Sequence, residues 1–118
     1  MSEKSNKNNS IGDDIVLISE NERWIYKKGR SKIYYTRLTE DIEKETKENH
    51  TEKGLTDYAA VAQEWLEKCI IGWEDIPNFL GEESELNNEN IRRLPAQIKL
   101  DLLDCIKASN GQRAPIKN

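Results

Sequence analysis

The chain has 118 residues, 36% of them hydrophobic and 34% charged, with a mean hydropathy of −0.86 and a formal net charge of −4. That length sets a single small domain with a modest core. The sequence has no apolar run of membrane-spanning length, and an acidic middle opposes a general DNA-binding surface. Charge is segregated. Residues 1–39 carry eight basic and five acidic side chains, residues 40–90 four and fifteen, and residues 91–118 six and two.

Residues 1–12 are polar, rich in Asn, Ser and Lys, and predicted to be disordered; they lack the apolar stretch of a secretory signal. A single α+β domain is expected over 13–110, followed by a flexible tail over 111–118. "DIVLIS" has the β-branched content of a strand, "ENER" of a turn, and "RWIYKKG" and "SKIYYTRLT" of two further strands joined through Gly29. In the last of these, Lys32, Tyr34, Thr36 and Leu38 share one face and Ile33, Tyr35 and Arg37 the other. Neither face is cleanly apolar, which describes a small antiparallel sheet half open to water or lying at an interface. "TEDIEKETKENHTEKG" fits a solvent-facing helix or a linker, and periodicity leaves the two open. His50, inside it, reads as a surface residue.

After Gly54 the signals sharpen. Thr56 is a candidate N-cap, with Asp57 in the first turn. Tyr58, Val61, Ala62, Trp65, Leu66 and Cys69 recur at spacings of three and four, placing one apolar stripe on a helix to about Ile70. Gly72 is expected to end that helix in a left-handed conformation, and Trp73 to fold back on the stripe. "EDIPNFLGEESELN" reads as a loop with Ile76, Phe79 and Leu80 turned inward. Asn87 or Asn88 caps a short helical turn, and Pro95 starts the next helix or marks a break before it. Leu94, Ile98, Leu102 and Ile106 stand four apart, with Leu103 and Cys105 on their flank. The expected fold is a small N-terminal antiparallel sheet packed on two main C-terminal helices. Its core is expected to contain Trp65, Trp73, Phe79, Leu94, Ile98, Leu102 and Ile106.

No nucleophile–base set, P-loop or dinucleotide fingerprint occurs. Cys69 and Cys105 have neither zinc-site spacing nor a disulfide framework, and read as helix-face residues of a reduced, cytoplasmic protein. Glu82, Glu83, Glu85 and Glu89 crowd an exposed loop without a cleft to converge on. The expectation is therefore no catalytic residue, no metal and no cofactor. Trp24, Tyr26, Tyr34 and Tyr35 lie among Arg23, Lys27, Lys28, Arg30 and Lys32. Together with Trp73, these aromatics are the candidate partner-binding residues. The strand aromatics fit a core, a protein interface or a stacking platform for single-stranded nucleic acid.

The succession "WLEKCIIGWEDI", "NFLGEESELNNENIRRLP" and "IKLDLLDCI" resembles small tail assembly chaperone-like or minor tail proteins of tailed bacteriophages and prophages. The resemblance covers roughly residues 56–108 and rests on Trp65, Gly72, Trp73, Phe79, Asn90, Leu94 and Pro95; similarity over 14–39 is weaker. Pro77 and Phe79 precede Gly81 here, unlike the usual loop of that group. The resemblance implies a non-enzymatic assembly factor in the cytoplasm of a bacterial host, binding a tape-measure or tail-tube protein. The competing readings are an adaptor or inhibitor of a host protein and a weak single-stranded nucleic-acid-binding module. Neither main helix is apolar all round, so a monomer or weak self-association is expected.

Overall fold

The computed structural model describes residues 22–109. The strand expected at 14–19 and the tails at 1–12 and 111–118 fall outside them. In chain order, β1 (Trp24–Lys28) and β2 (Ser31–Tyr35) form a hairpin, followed by α1 (Glu40–Asn49) and a two-residue-per-strand hairpin, β3 (Thr51–Glu52) and β4 (Leu55–Thr56). Then come α2 (Tyr58–Cys69), β5 (Ile70–Glu74), the short α3 (Asn88–Arg92) and α4 (Ala96–Ser109). The main sheet is antiparallel in the order β1-β2-β5. The architecture is α+β.

Residues 40–54, ambiguous by pattern, resolve into helix and hairpin. Thr39 caps α1 by accepting from Ile42 N at 3.2 Å, and Glu40, Asp41 and Glu43 occupy the first turn, where exposed amides favour negative charge. Thr46 is the fully buried residue of this helix. Lys53 (φ 53°) and Gly54 (φ 81°) then supply the two left-handed residues that a two-residue hairpin turn demands.

Asp57, rather than Thr56, caps α2, accepting from Ala60 N at 3.1 Å. The end of α2 also differs from expectation. The helix stops at Cys69 because Ile70 turns extended (φ −77°, ψ 120°) and passes directly into β5. Gly72 lies within that strand, opposite Tyr34, and does not take the left-handed conformation of a helix stop. A β-branched pair, Ile70–Ile71, followed by Gly and Trp favours extended chain once a neighbouring strand is present to pair with. The register shifts between Tyr34 and Tyr35, leaving Ile71 as the extra, outward residue of a bulge.

The core joins one face of the sheet to α2, α3 and α4. Ile33, Tyr35, Leu38, Leu66, Cys69, Ile70, Ile91, Leu102 and Ile106 are buried together, with Trp24, Tyr26, Trp65, Trp73, Leu94 and Ile98 packed against them. The expected core positions Trp65, Leu94, Ile98, Leu102 and Ile106 thus all border or enter it; Phe79 does not, as described below. Trp65 secures α1 to α2 by donating its indole N–H to Thr46 Oγ1 at 2.8 Å.

Arg37, on the buried face, is 5% exposed yet paired. Its Nη1 donates to the Ser109 carbonyl at the end of α4 (2.6 Å), its Nη2 to Glu22 (2.5 Å), and its guanidinium lies 5.1 Å over the Trp24 ring. A cation at a helix C-terminus satisfies a carbonyl left without an intrahelical partner.

Candidate functional site

The segment between β5 and α3 is a built loop whose hydrogen bonds mostly run to its own backbone. Pro77 and Glu83 form an antiparallel bridge. Above it, Ser84 N donates to Ile76 O (3.0 Å) and Asn78 N to Glu82 O (2.7 Å). The Asn78 carboxamide oxygen accepts from Leu80 N (2.8 Å) and Glu82 N (3.0 Å), the local side-chain-to-backbone bonding that makes Asn a turn former. Gly81 closes the turn at φ +83°, donating to Asn78 O at 2.9 Å.

The base is fastened to the domain at three points. Ser31 Oγ donates to Asp75 O (2.6 Å), Trp73 Nε1 to Ser84 O (3.0 Å), and Asn90 Nδ2 to Glu85 O (2.7 Å). Trp73, named above both as a core residue and as a candidate partner-binding residue, is half-buried against the core and holds the loop.

This construction turns Phe79 outward. It is 95% exposed and Leu80 66% exposed, so the assignment of Phe79 to the core, and of Leu80 as an inward anchor, is corrected. The physical reason is the tightness of the turn. Residues between Asn78 and Gly81 sit at its apex, where no neighbouring element can cover them. The run Asn-Phe-Leu-Gly carried that signal, since Asn and Gly bracket a two-residue tip. Hydrophobicity alone pointed the wrong way.

The chain on either side of the tip is acidic in sequence, and at the base β2 sets Lys32 directly opposite Glu74. Residues 69–91 contain six acidic side chains, Glu74, Asp75, Glu82, Glu83, Glu85 and Glu89, and no Lys or Arg. Glu89 pairs with Arg93 at 3.3 Å; the other ion pairs of the described residues lie elsewhere. Of the Glu82–Glu89 carboxylates, Glu82 and Glu83 directly follow the tip, whereas Glu85 lies at the base of the loop and Glu89 in α3.

The strand aromatics are divided by the sheet. Trp24 pairs opposite Tyr35 and Tyr26 opposite Ile33, all on the core side. Trp24 and Tyr35 stack at 5.9 Å, and Tyr35 is buried. Tyr26 donates to Asp101 Oδ2 at 2.9 Å, linking β1 to α4. Burial, with help from that carboxylate, raises the Tyr26 pKa; burial and the neighbouring Cys105 thiol push that of Tyr35 well above the usual phenol range. Bonds from Gln97 and Tyr26, with the charge of Lys28, lower that of Asp101.

Of the three readings of Trp24, Tyr26, Tyr34 and Tyr35, the packing matches the core for three, because strand alternation sends Trp24, Tyr26 and Tyr35 inward. Tyr34 alone faces out, covered by Arg23 at 4.7 Å and donating to Glu74 Oε2 at 2.8 Å, a bond that raises its pKa. Gly72 lies opposite it in the sheet, where an added Cβ would meet Tyr34 Cδ2 at an ordinary 3.5 Å.

His50 is also more than a surface residue. Half-buried at the end of α1, its Nε2 lies 2.8 Å from Glu64 Oε1 on α2, and Asn49 Nδ2 donates to Oε2 of the same carboxylate at 3.2 Å. Lys68 lies 3.7 Å from the same carboxylate. The cluster braces α1 against α2, and the neighbouring Thr51 hydroxyl is engaged with Lys47 O and Thr56. Cys69 and Cys105 are free thiols, and burial pushes Cys69 up to about 12.

Among the described residues no group of three His, Cys, Asp or Glu is arranged to hold a metal ion, and no helix is long and apolar enough to cross a membrane. Comparison with protein-family models, curated proteins and solved structures gives no match.

Proposed function

We propose that this chain is a non-enzymatic protein-binding factor of phage tail morphogenesis, an assembly chaperone that holds a tape-measure protein in the bacterial cytoplasm. The observation that carries the protein-binding part is Phe79, nearly fully exposed on a loop whose backbone is already fixed. Burying a Phe or Leu side chain contributes about 1.5–3 kcal/mol, and a preformed loop loses little further entropy on docking. Such a tip stabilises a complex and contributes nothing to the isolated fold.

The assignment to tail assembly rests on the sequence resemblance. Of its positions, Trp73 and Asn90 fasten the loop, and Pro95 accepts from Lys99 N (3.0 Å) at the start of α4.

Co-expression with the tape-measure product tests the proposal. The product is expected to become soluble and to co-purify with this chain. A product equally insoluble with and without it sinks the chaperone reading and favours an adaptor or inhibitor of a host protein. Sedimentation across a wide concentration range is expected to show a monomer or weak self-association, and a fixed ring at the lowest concentration would indicate a built-in tail component.

A further inference from the structure

We propose that the Phe79–Leu80 tip docks on an amphipathic helix whose apolar stripe is flanked by Lys or Arg. This deepens the protein-binding reading above and rests on it.

Three properties of the loop select that partner. First, the tip is convex and narrow, two bulky side chains between Asn78 and Gly81. A projecting side chain fits the holes among i, i+3 and i+4 residues on a helix surface. Second, the backbone beneath the tip is already engaged: Leu80 N and Glu82 N donate to Asn78 Oδ1, and Asn78 O and Glu82 O accept from Gly81 N and Asn78 N. This loop offers no free ladder for an added strand, so contact runs through side chains. A helix, with its own backbone groups satisfied internally, is the matching surface.

Third, Glu82 and Glu83 directly follow the tip, Glu82 accepting from Asn78 Nδ2 at 3.3 Å, and residues 69–91 hold no cation. Carboxylates beside the anchor repel an acidic partner and an anionic lipid surface alike, and complement Lys or Arg at the margins of an apolar stripe. Exposed charge of this kind sets specificity and salt dependence, while Phe79 and Leu80 supply the affinity.

The test uses the full chain and two labelled helical peptides of about 20 residues, long enough to hold a helix. They share one Leu/Ala stripe, flanked by Lys in one and by Glu in the other. Fluorescence anisotropy is expected to show saturable binding of the Lys-flanked peptide, weakening as salt rises. The double variant F79A/L80A, which should melt like the parent, is expected to lose at least about tenfold in affinity. E82K/E83K is expected to lose similarly for the Lys-flanked peptide and to gain for the Glu-flanked one. Amide chemical shifts should move over residues 76–84.

The proposal is overturned if the Lys-flanked peptide fails to saturate by about 1 mM, if both peptides bind equally, or if F79A/L80A binds like the parent. Binding to phosphatidylcholine vesicles that depends on Phe79 would overturn it in favour of a membrane surface. The co-expression experiment separates the two levels. Rescue by the parent but equally by F79A/L80A defeats the docking site and leaves the chaperone reading; failure of both proteins defeats the chaperone reading, and the peptide result stands by itself.

Discussion

Thr46 is the fully buried polar link between α1 and α2, and replacing it with Val isolates that link. Its side chain is 0% exposed; its hydroxyl donates to Ile42 O at 2.7 Å and accepts the Trp65 indole N–H at 2.8 Å. Val has nearly the same shape, so T46V leaves no appreciable cavity. What it removes is the acceptor for Trp65 Nε1. A buried donor without a partner costs about 1–3 kcal/mol. Trp65 is half-buried, and water can partly reach its ring, so the lower part of that range applies, about 1–2 kcal/mol.

For a folded region of this size each kcal/mol lowers the melting temperature by about 4–8 °C, giving a drop of roughly 5–15 °C. T46S keeps the hydroxyl and loses one buried methyl, costing about 0.8 kcal/mol. The assay is chemical denaturation of the parent, T46V, W65F and the double variant. W65F removes the donor, so T46V should cost about 1 kcal/mol less on that background. A coupling indistinguishable from zero would refute the link, as would a T46V protein melting with the parent.

Gly72→Ala should leave stability within about 0.5 kcal/mol, because its φ is not left-handed and the new Cβ would meet Tyr34 Cδ2 at an ordinary 3.5 Å. Gly81→Ala, at φ +83°, should cost about 1–2 kcal/mol. Urea midpoints that rank the two the other way would restore Gly72 as a helix stop. Leu102→Ala, at a fully buried position of α4, should cost about 2–5 kcal/mol, whereas Phe79→Ala should stay within about 0.5 kcal/mol; a large loss from F79A would return that ring to the core.

Alkaline pH should destabilise the fold. The Cys69 thiol keeps its proton to about 12 when folded and loses it near 9.0 when unfolded, so the folded state binds more protons in that window. Stability falls as pH rises through it. Tyr26 and Tyr35, also raised, add to the loss above 10.0. Cys69→Ala should flatten the dependence of the urea midpoint between about pH 9 and 10, and an unchanged slope would show that the thiol is not its source.

The sequence by itself determined the elements whose signal is local. The stripe through Val61, Trp65, Leu66 and Cys69, the row Ile98, Leu102 and Ile106, an Asn cap at 87 or 88 and the turn at Gly29 each follow from spacing or from one residue's conformational range. Tertiary structure decided what local signals leave degenerate. Whether Ile70–Glu74 ends a helix or forms a strand depended on β2 lying alongside to pair with it. Which face of β2 is dry depended on the helices covering Ile33 and Tyr35 and leaving Tyr34 outside. Phe79 shows the same division most plainly: hydrophobicity states what a side chain gains by burial, but only the folded chain supplies a neighbour to bury it. At the apex of a turn fixed by Asn78 there is none, so the ring is left in water until something else covers it.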